Sequence, residues 1–288
     1  MKDQAQQLRD LVKSYEKAKI PKRAKVITVL SGKGGVGKSV VSVNLAVSLS
    51  RAKKKVLLLD TDVGFANADI ILGITPPYHL IDVIKGRKTL EEVMVDGPEG
   101  VFMIAGGSII PDLGTLSLEE IDKISRQFSG LEAKMDYIII DSSAGLSPVI
   151  LNFIKSSDEL VVVTNPEPPA IADAYCITKS IFRHNDRAKV NFIINRTVGQ
   201  KEGQQAAKRL QYSIKKFLNQ EVKVLGLIEE DQKVALAVRK QTPFSILYPY
   251  CTASKNLQAI TLKIIEQKNE RNETDKNLFQ RILSFLST

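Results

Sequence analysis

Tryptophan is absent from these 288 residues, and cysteine and histidine occur only twice each. Cys176 and Cys251 lie far apart and form no CxxC, which excludes a disulfide framework and a zinc site and fits a reducing cytosol. His79 and His184 are too scattered for a histidine-based metal site and are expected at the surface or in turns. Aromatic residues make up 6%, so the base-stacking platforms of single-strand binders are not suggested. No apolar run approaches the ~18–20 residues that a transmembrane helix needs. The opening MKDQAQQLRD is polar and of mixed charge, unlike a secretory signal peptide.

Hydrophobic residues reach 43%, enough for a sizeable core, and one large α/β domain is the simplest count. The formal net charge of +9 suits phosphate-bearing partners such as nucleic acid, anionic lipid headgroups or ribosomes, or else a solvated basic surface.

Residues 1–24 read as a short helix and linker. Ala5, Leu8, Leu11 or Val12, and Tyr15 share one apolar face, and Pro21 ends the helix. Apolar, β-branched runs follow at Val26–Leu30, Val56–Leu59, Tyr137–Ile140, Leu160–Val163, Val190–Ile194 and Val222–Ile228. They do not alternate with polar residues, so they should be covered on both faces, as in a mainly parallel sheet with crossover helices. Helical patterns fall at Lys38–Arg51, Ser117–Phe128, Pro148–Ser156, Ala170–His184, Gly203–Phe217, Lys233–Arg239 and Ala253–Gln267. After Gln267, KNERNETDKN reads as a charged linker before the apolar LFQRILSFLST. The division is therefore 1–24 appendage, 25–267 domain, and 268–288 linker with a C-terminal amphipathic helix.

The strand Val26–Leu30 runs into SGKGGVGKS, where Gly32-x4-Gly37-Lys38-Ser39 has complete P-loop spacing. Its glycines let backbone N–H groups turn toward phosphate oxygens, and the following helix adds its positive dipole end. Lys38 would neutralise the β- and γ-phosphates, and the Ser39 hydroxyl is the expected Mg²⁺ ligand. The expected nucleotide contacts are Gly32, Lys33, Gly34, Gly35, Val36, Gly37, Lys38 and Ser39. The fold expected is an α/β P-loop NTPase with a mainly parallel twisted sheet, helices on both faces, and short helical appendages at both ends.

KGGVGKS resembles the deviant Walker A motif of the MinD/ParA class of P-loop ATPases, whose signature lysine corresponds to Lys33. The resemblance covers residues 24–265. It implies a homodimer formed with ATP and Mg²⁺, in which Lys33 reaches the partner's ATP and acts as an arginine finger does. LLLDTDVGFANADIILG is similar to the first switch: Asp60 would hold the Mg²⁺ water shell and Asp62 would position the attacking water. YIIIDSSAGLS resembles the second switch, with Asp141 reaching Mg²⁺ through water, the Gly145 amide sensing the γ-phosphate, and Ser143 in place of the usual Pro. Asn195 and Arg196 in NFIINRT match an adenine-facing pair. Glu230 and Asp231 belong to GLIEEDQKVALAVRKQTPF, which resembles the stretch closing over the base, with Glu229 in place of the family's Pro. By the same resemblance, Asp173 would be the resting partner of Lys33.

The chain lacks the clustered cysteines of iron–sulfur relatives and the tyrosine-rich tail of autokinases. On a helical wheel Leu278, Phe279, Ile282, Leu283, Phe285 and Leu286 gather on one side, resembling the membrane-targeting helix of MinD-like proteins. The same face would also serve to pack against the domain or a dimer partner. Asp3–Arg9, DQAQQLR, resembles the activator segment of the FlhG (YlxH) family of flagellum site-determining ATPases. That resemblance implies contacts from Gln4, Leu8 and Arg9 to an FlhF-type, signal-recognition-type GTPase, and contacts with flagellar cytoplasmic-ring components. It also implies slow, dimerisation-dependent hydrolysis of ATP to ADP, and a cytoplasmic protein that joins anionic membranes when ATP-bound, at the pole or at flagellar sites. A ParA-like DNA-partitioning ATPase and a regulatory scaffold without turnover stay open as alternatives.

Overall fold

The computed structural model describes residues 23–61, 67–106, 118–145, 148–267 and 277–283. Gln4, Leu8, Arg9, Asp62, Phe285 and Leu286 lie outside the described residues. Eight strands form one sheet in the order β3-β4-β2-β5-β1-β6-β7-β8. They are β1 Lys25–Leu30, β2 Val56–Asp60, β3 Val95–Asp96, β4 Val101–Ala105, β5 Tyr137–Asp141, β6 Glu159–Thr164, β7 Val190–Thr197 and β8 Lys223–Glu229. Every pairing is parallel except β3 with β4.

The helices are α1 Lys38–Arg51, α2 Ala68–Leu72, α3 Leu80–Ile84, α4 Leu90–Val93, α5 Leu118–Lys134, α6 Pro148–Ser156, α7 Pro168–His184, α8 Gly199–Leu218, α9 Gln232–Arg239, α10 Phe244–Leu247, α11 Thr252–Glu266 and α12 Leu278–Leu283. Strands β1, β2, β5 and β6 are buried along their whole length, which explains why their sequences do not alternate. Alternate side chains face opposite layers. Ile27, Val29, Leu58 and Ile139 pack with α1 and α11, whereas Val26, Leu57, Ile138 and Ile140 pack with α3, α4, α5 and α12. A third cluster joins Leu30, Val162 and Phe192 to α6, α7 and α8.

Two strands escaped the sequence reading. The pair β3 and β4 is separated only by a tight 3-10 turn at Pro98–Gly100, and β3 has two residues, too few for a pattern. Helix α5 runs to Lys134 rather than Phe128, because Leu131 faces the core one turn beyond Phe128.

The C-terminal helix is docked on the domain, one of the two placements its apolar face allowed. Leu278, Phe279 and Ile282, placed by the sequence on a lipid-facing side, are 0%, 4% and 8% exposed here and belong to the domain core. Phe279 stacks on Phe128 at 5.3 Å between centroids. Asn277 caps the helix: its Oδ1 accepts from the Gln280 amide at 2.9 Å, and Gln280 Oε1 accepts from the Asn277 amide at 3.1 Å. The Asn277 side-chain amide donates to the Ser125 carbonyl at 2.7 Å and to Ser129 Oγ at 2.6 Å, tying the cap to α5. The helix docks here because α5 and α6 present an apolar surface that covers this face.

Charge fastens the same helix. The Leu278 amide donates to Glu132, and Arg281 donates to the Ser156 carbonyl. Arg281 lies 3.9 Å from Glu132 and 3.8 Å from Asp158, while Arg23 lies 2.5 Å from Asp158 and 3.9 Å from Glu132. Two arginines thus face two carboxylates in a nearly dry site. Burial pushes the Glu132 carboxyl above its usual range, against the Leu278 amide and the two arginines, and burial likewise lowers Arg281. A carboxyl raised in the folded state binds protons more tightly there, so its contribution is fully present below its ordinary value of 4.5 and is lost as pH rises through the raised value. Wild type should therefore lose more stability than Glu132→Gln as pH rises through that window. Urea unfolding of both proteins across the range checks this, and parallel pH profiles would refute it.

Candidate functional site

Sheet register assembles the site. Asp60 and Asp141 are paired residues on adjacent parallel strands, and Asp141 also lies beside Val29 of β1, so two carboxylates stand at the carboxyl edge next to the loop leaving β1. Ligands of doubly wound sheets bind at this edge.

The loop between β1 and α1 needs its glycines for identifiable reasons. Gly35 and Gly37 have φ of +83° and +90°, where a β-carbon is strained. A β-carbon on Gly32 would lie 2.5 Å from the Asp173 main chain, so α7 closes one side of the loop. Helix α1 begins at Lys38, and no side chain caps its first turn, so its leading amides are available to an anion.

Lys38 is 7% exposed and Asp141 fully buried. The Lys38 ammonium donates to Asp141 Oδ1 at 2.7 Å and reaches Ser39 Oγ at 3.2 Å. Ser42, one turn further along α1, donates to the same Asp141 oxygen at 2.8 Å. Asp141 Oδ2 is buried and has no hydrogen-bond partner. Asp60 Oδ2 accepts from the Ala68 amide at 3.2 Å, which fixes that carboxylate against the start of α2.

Lys33 does not point into this cluster. Its ammonium meets Glu167 Oε2 at 3.1 Å at the surface, and that hydrogen bond holds the Glu167 carboxyl below its usual range. The resting partner of Lys33 is therefore Glu167, not the expected Asp173. Asp173 sits nearly two helical turns further into α7, with its main chain against Gly32.

Asn195 ends a buried run of β7 and turns its side-chain amide onto the Val36 carbonyl at 2.8 Å. That contact ties β7 to the phosphate loop and leaves Oδ1 as the acceptor. Arg196 follows in a left-handed conformation, φ +55°, and is exposed. Beside them opens a cavity of about 620 Å³, walled by Gly37, Val40, Asn195, Arg196, Glu230, Asp231, Leu236 and Phe244 among others. Its volume suits a base and ribose. Asp231 caps α9 by accepting from the Lys233 amide at 2.9 Å. Burial raises the Asp231 carboxyl, but the Lys233 amide, the Cys251 thiol and the Ala253 and Thr252 amides outweigh it and hold the group low. Asp231 thus serves the wall of the cavity as a cap. Gly145 has φ +84° and donates its amide to the Ser31 carbonyl at 3.0 Å.

These residues fit Mg²⁺ bound together with phosphates. Among the described residues no cluster of three His, Cys, Asp or Glu side chains would hold a metal by itself. Mg²⁺ commonly takes one or two carboxylates and completes its shell with water and substrate phosphates. The unpartnered Asp141 Oδ2 and the Ser39 hydroxyl beside Lys38 are donors of that kind. Sequence reasoning missed Glu167 and Ser42. Ser42 was open to inference, since i and i+4 on a helix share a face, whereas Glu167 was reachable only through the fold.

Residues 27–244 match the CobQ/CobB/MinD/ParA nucleotide binding domain family. The antiactivator FleN of Pseudomonas aeruginosa is 34% identical over 83% of this chain and 85% of its own length. The flagellum site-determining protein YlxH of Helicobacter pylori is 32% identical over 91% and 90% respectively. The MinC:MinD cell division complex of Aquifex aeolicus contains a chain with TM-score 0.68 and 26% identity, covering 88% of this chain and 99% of that one.

Proposed function

Given that the chain belongs to the CobQ/CobB/MinD/ParA nucleotide-binding family, we propose that it is an ATP-driven dimerisation switch governing flagellar number or placement. The observation that carries the switch is the division of labour between two lysines in one loop. Lys38 is buried on Asp141, while Lys33 is held outward by Glu167. ATP is the substrate. Lys38 exchanges Asp141 for the phosphates, the first-turn amides of α1 bind phosphate oxygens, and the Asn195 cavity receives the base. Bound Mg²⁺ would supply charge neutralisation on the phosphates, held by Ser39 and through water by Asp60 and Asp141. Asp62 orients the attacking water, and Lys33 completes the site of a second copy. Hydrolysis is slow in isolation and ends the dimer.

Two outputs follow from this reading. The N-terminal segment with Gln4, Leu8 and Arg9 stimulates an FlhF-type GTPase, and the C-terminal helix, released from its dock, binds anionic membrane. Flagellar cytoplasmic-ring components are further partners. The likeness to the flagellum site-determining protein YlxH supports this role over DNA partitioning.

The Lys33–Glu167 pair is exposed and screened by solvent, so it holds Lys33 outward only weakly. Glu167→Gln should then raise the dimer fraction at limiting ATP by about twofold to fivefold. Analytical ultracentrifugation with ATP and with ADP measures it. A protein that stays monomeric at every ATP concentration overturns the switch itself.

A further inference from the structure

We infer that Ser42 is a positioning residue for the metal-facing carboxylate: it holds Asp141 in place while Lys38 is engaged elsewhere. The inference rests on the nucleotide reading above and concerns one part of it. Asp141 Oδ1 accepts two hydrogen bonds, from Lys38 at 2.7 Å and Ser42 at 2.8 Å, while Oδ2 accepts none. All three side chains are buried. Lys38 cannot serve as a permanent anchor, because phosphates draw it away from the carboxylate. Once it leaves, Ser42 is the remaining donor of the pair on Oδ1. A carboxylate fixed through one oxygen has the other oriented, and here the oriented oxygen is the unpartnered Oδ2.

A plainer role for Ser42 is back-bonding within its helix, since its Oγ also lies 3.0 Å from the Lys38 carbonyl. One hydroxyl carries one hydrogen, and a carboxylate is the stronger acceptor. The shorter distance to Asp141 agrees with that preference. The register of β5 with β1 and β2 fixes the height of Asp141, and Ser42 fixes the rotation of its carboxylate. Back-bonding alone would leave the Mg²⁺ response of the site untouched, which makes the two roles separable.

The test is the affinity of a fluorescent ADP analogue with saturating Mg²⁺ and with EDTA, for wild type, Ser42→Ala and Ser42→Cys. Ser42→Ala should shrink the Mg²⁺-dependent gain in affinity by about tenfold, the worth of one hydrogen bond to a charged group. Its EDTA affinity should match wild type. Ser42→Cys, a weak donor of similar size, should fall between. An unchanged Mg²⁺ gain in folded Ser42→Ala overturns the positioning role. Equal loss in Mg²⁺ and EDTA assigns Ser42 to the loop or helix and overturns it too. Absence of nucleotide binding by wild type would overturn the nucleotide reading and this inference with it.

Discussion

Lys33→Ala is expected to lower the turnover number for ATP by about a hundredfold or more, the scale of losing one donor to transition-state charge, while ATP affinity stays close to wild type. Affinity persists because Lys38, the first-turn amides of α1 and the Asn195 cavity bind the ground state, and Lys33 is turned away from them. Turnover falls because the Lys33 charge is needed only where phosphoryl charge develops.

Two inactive variants should rescue each other. In a mixed dimer of Lys33→Ala with Asp62→Ala, the Lys33→Ala subunit keeps its own Asp62 and receives Lys33 from its partner, so one complete site forms. Phosphate release from the mixture should exceed that of either variant alone. A mixture no better than its components would place Lys33 in the site of its own subunit. Full turnover by Lys33→Ala would remove it from the chemistry altogether.

The legibility of this site in sequence had a physical pattern. Groups held by local backbone, such as Gly35, Gly37 and the start of α1, were readable because short-range sterics dictate them. Strands buried on both faces announced themselves by unbroken apolar runs, as Val26–Leu30 did. What stayed hidden depended on distance in the chain. Nothing in the order of residues says that Glu167 lies 3.1 Å from Lys33, 134 positions away. The tail is the sharper case. Its amphipathic pattern was legible, yet a pattern names an apolar face and not the apolar surface that meets it. Arg281, a charged residue outside that apolar face, is buried against two carboxylates.

That burial makes Arg281→Ala the strongest perturbation of the tail. Removing one partner from a buried ionic cluster costs about 3–5 kcal/mol, because the remaining charges stay dry and under-compensated. Here Glu132 and Asp158 would be left with Arg23 as the other arginine of the cluster. Against this stands the burial of Leu278, Phe279 and Ile282, worth roughly 1.5–3 kcal/mol each before the helix's ordering entropy is subtracted. The two sides are close in size, so the docked state should give way in the variant while the sheet and its other helices remain intact. Hydrogen exchange at residues 278–283 should accelerate strongly, with β5 and β6 still protected. If the released face is a lipid anchor, Arg281→Ala should sediment with phosphatidylglycerol vesicles in ADP as well as in ATP, wild type only in ATP, and a chain ending at Asp275 in neither. Protected tail amides in Arg281→Ala would show that apolar packing alone fixes the helix. Accelerated exchange without vesicle binding would separate the dock from the membrane and leave the face to another protein surface.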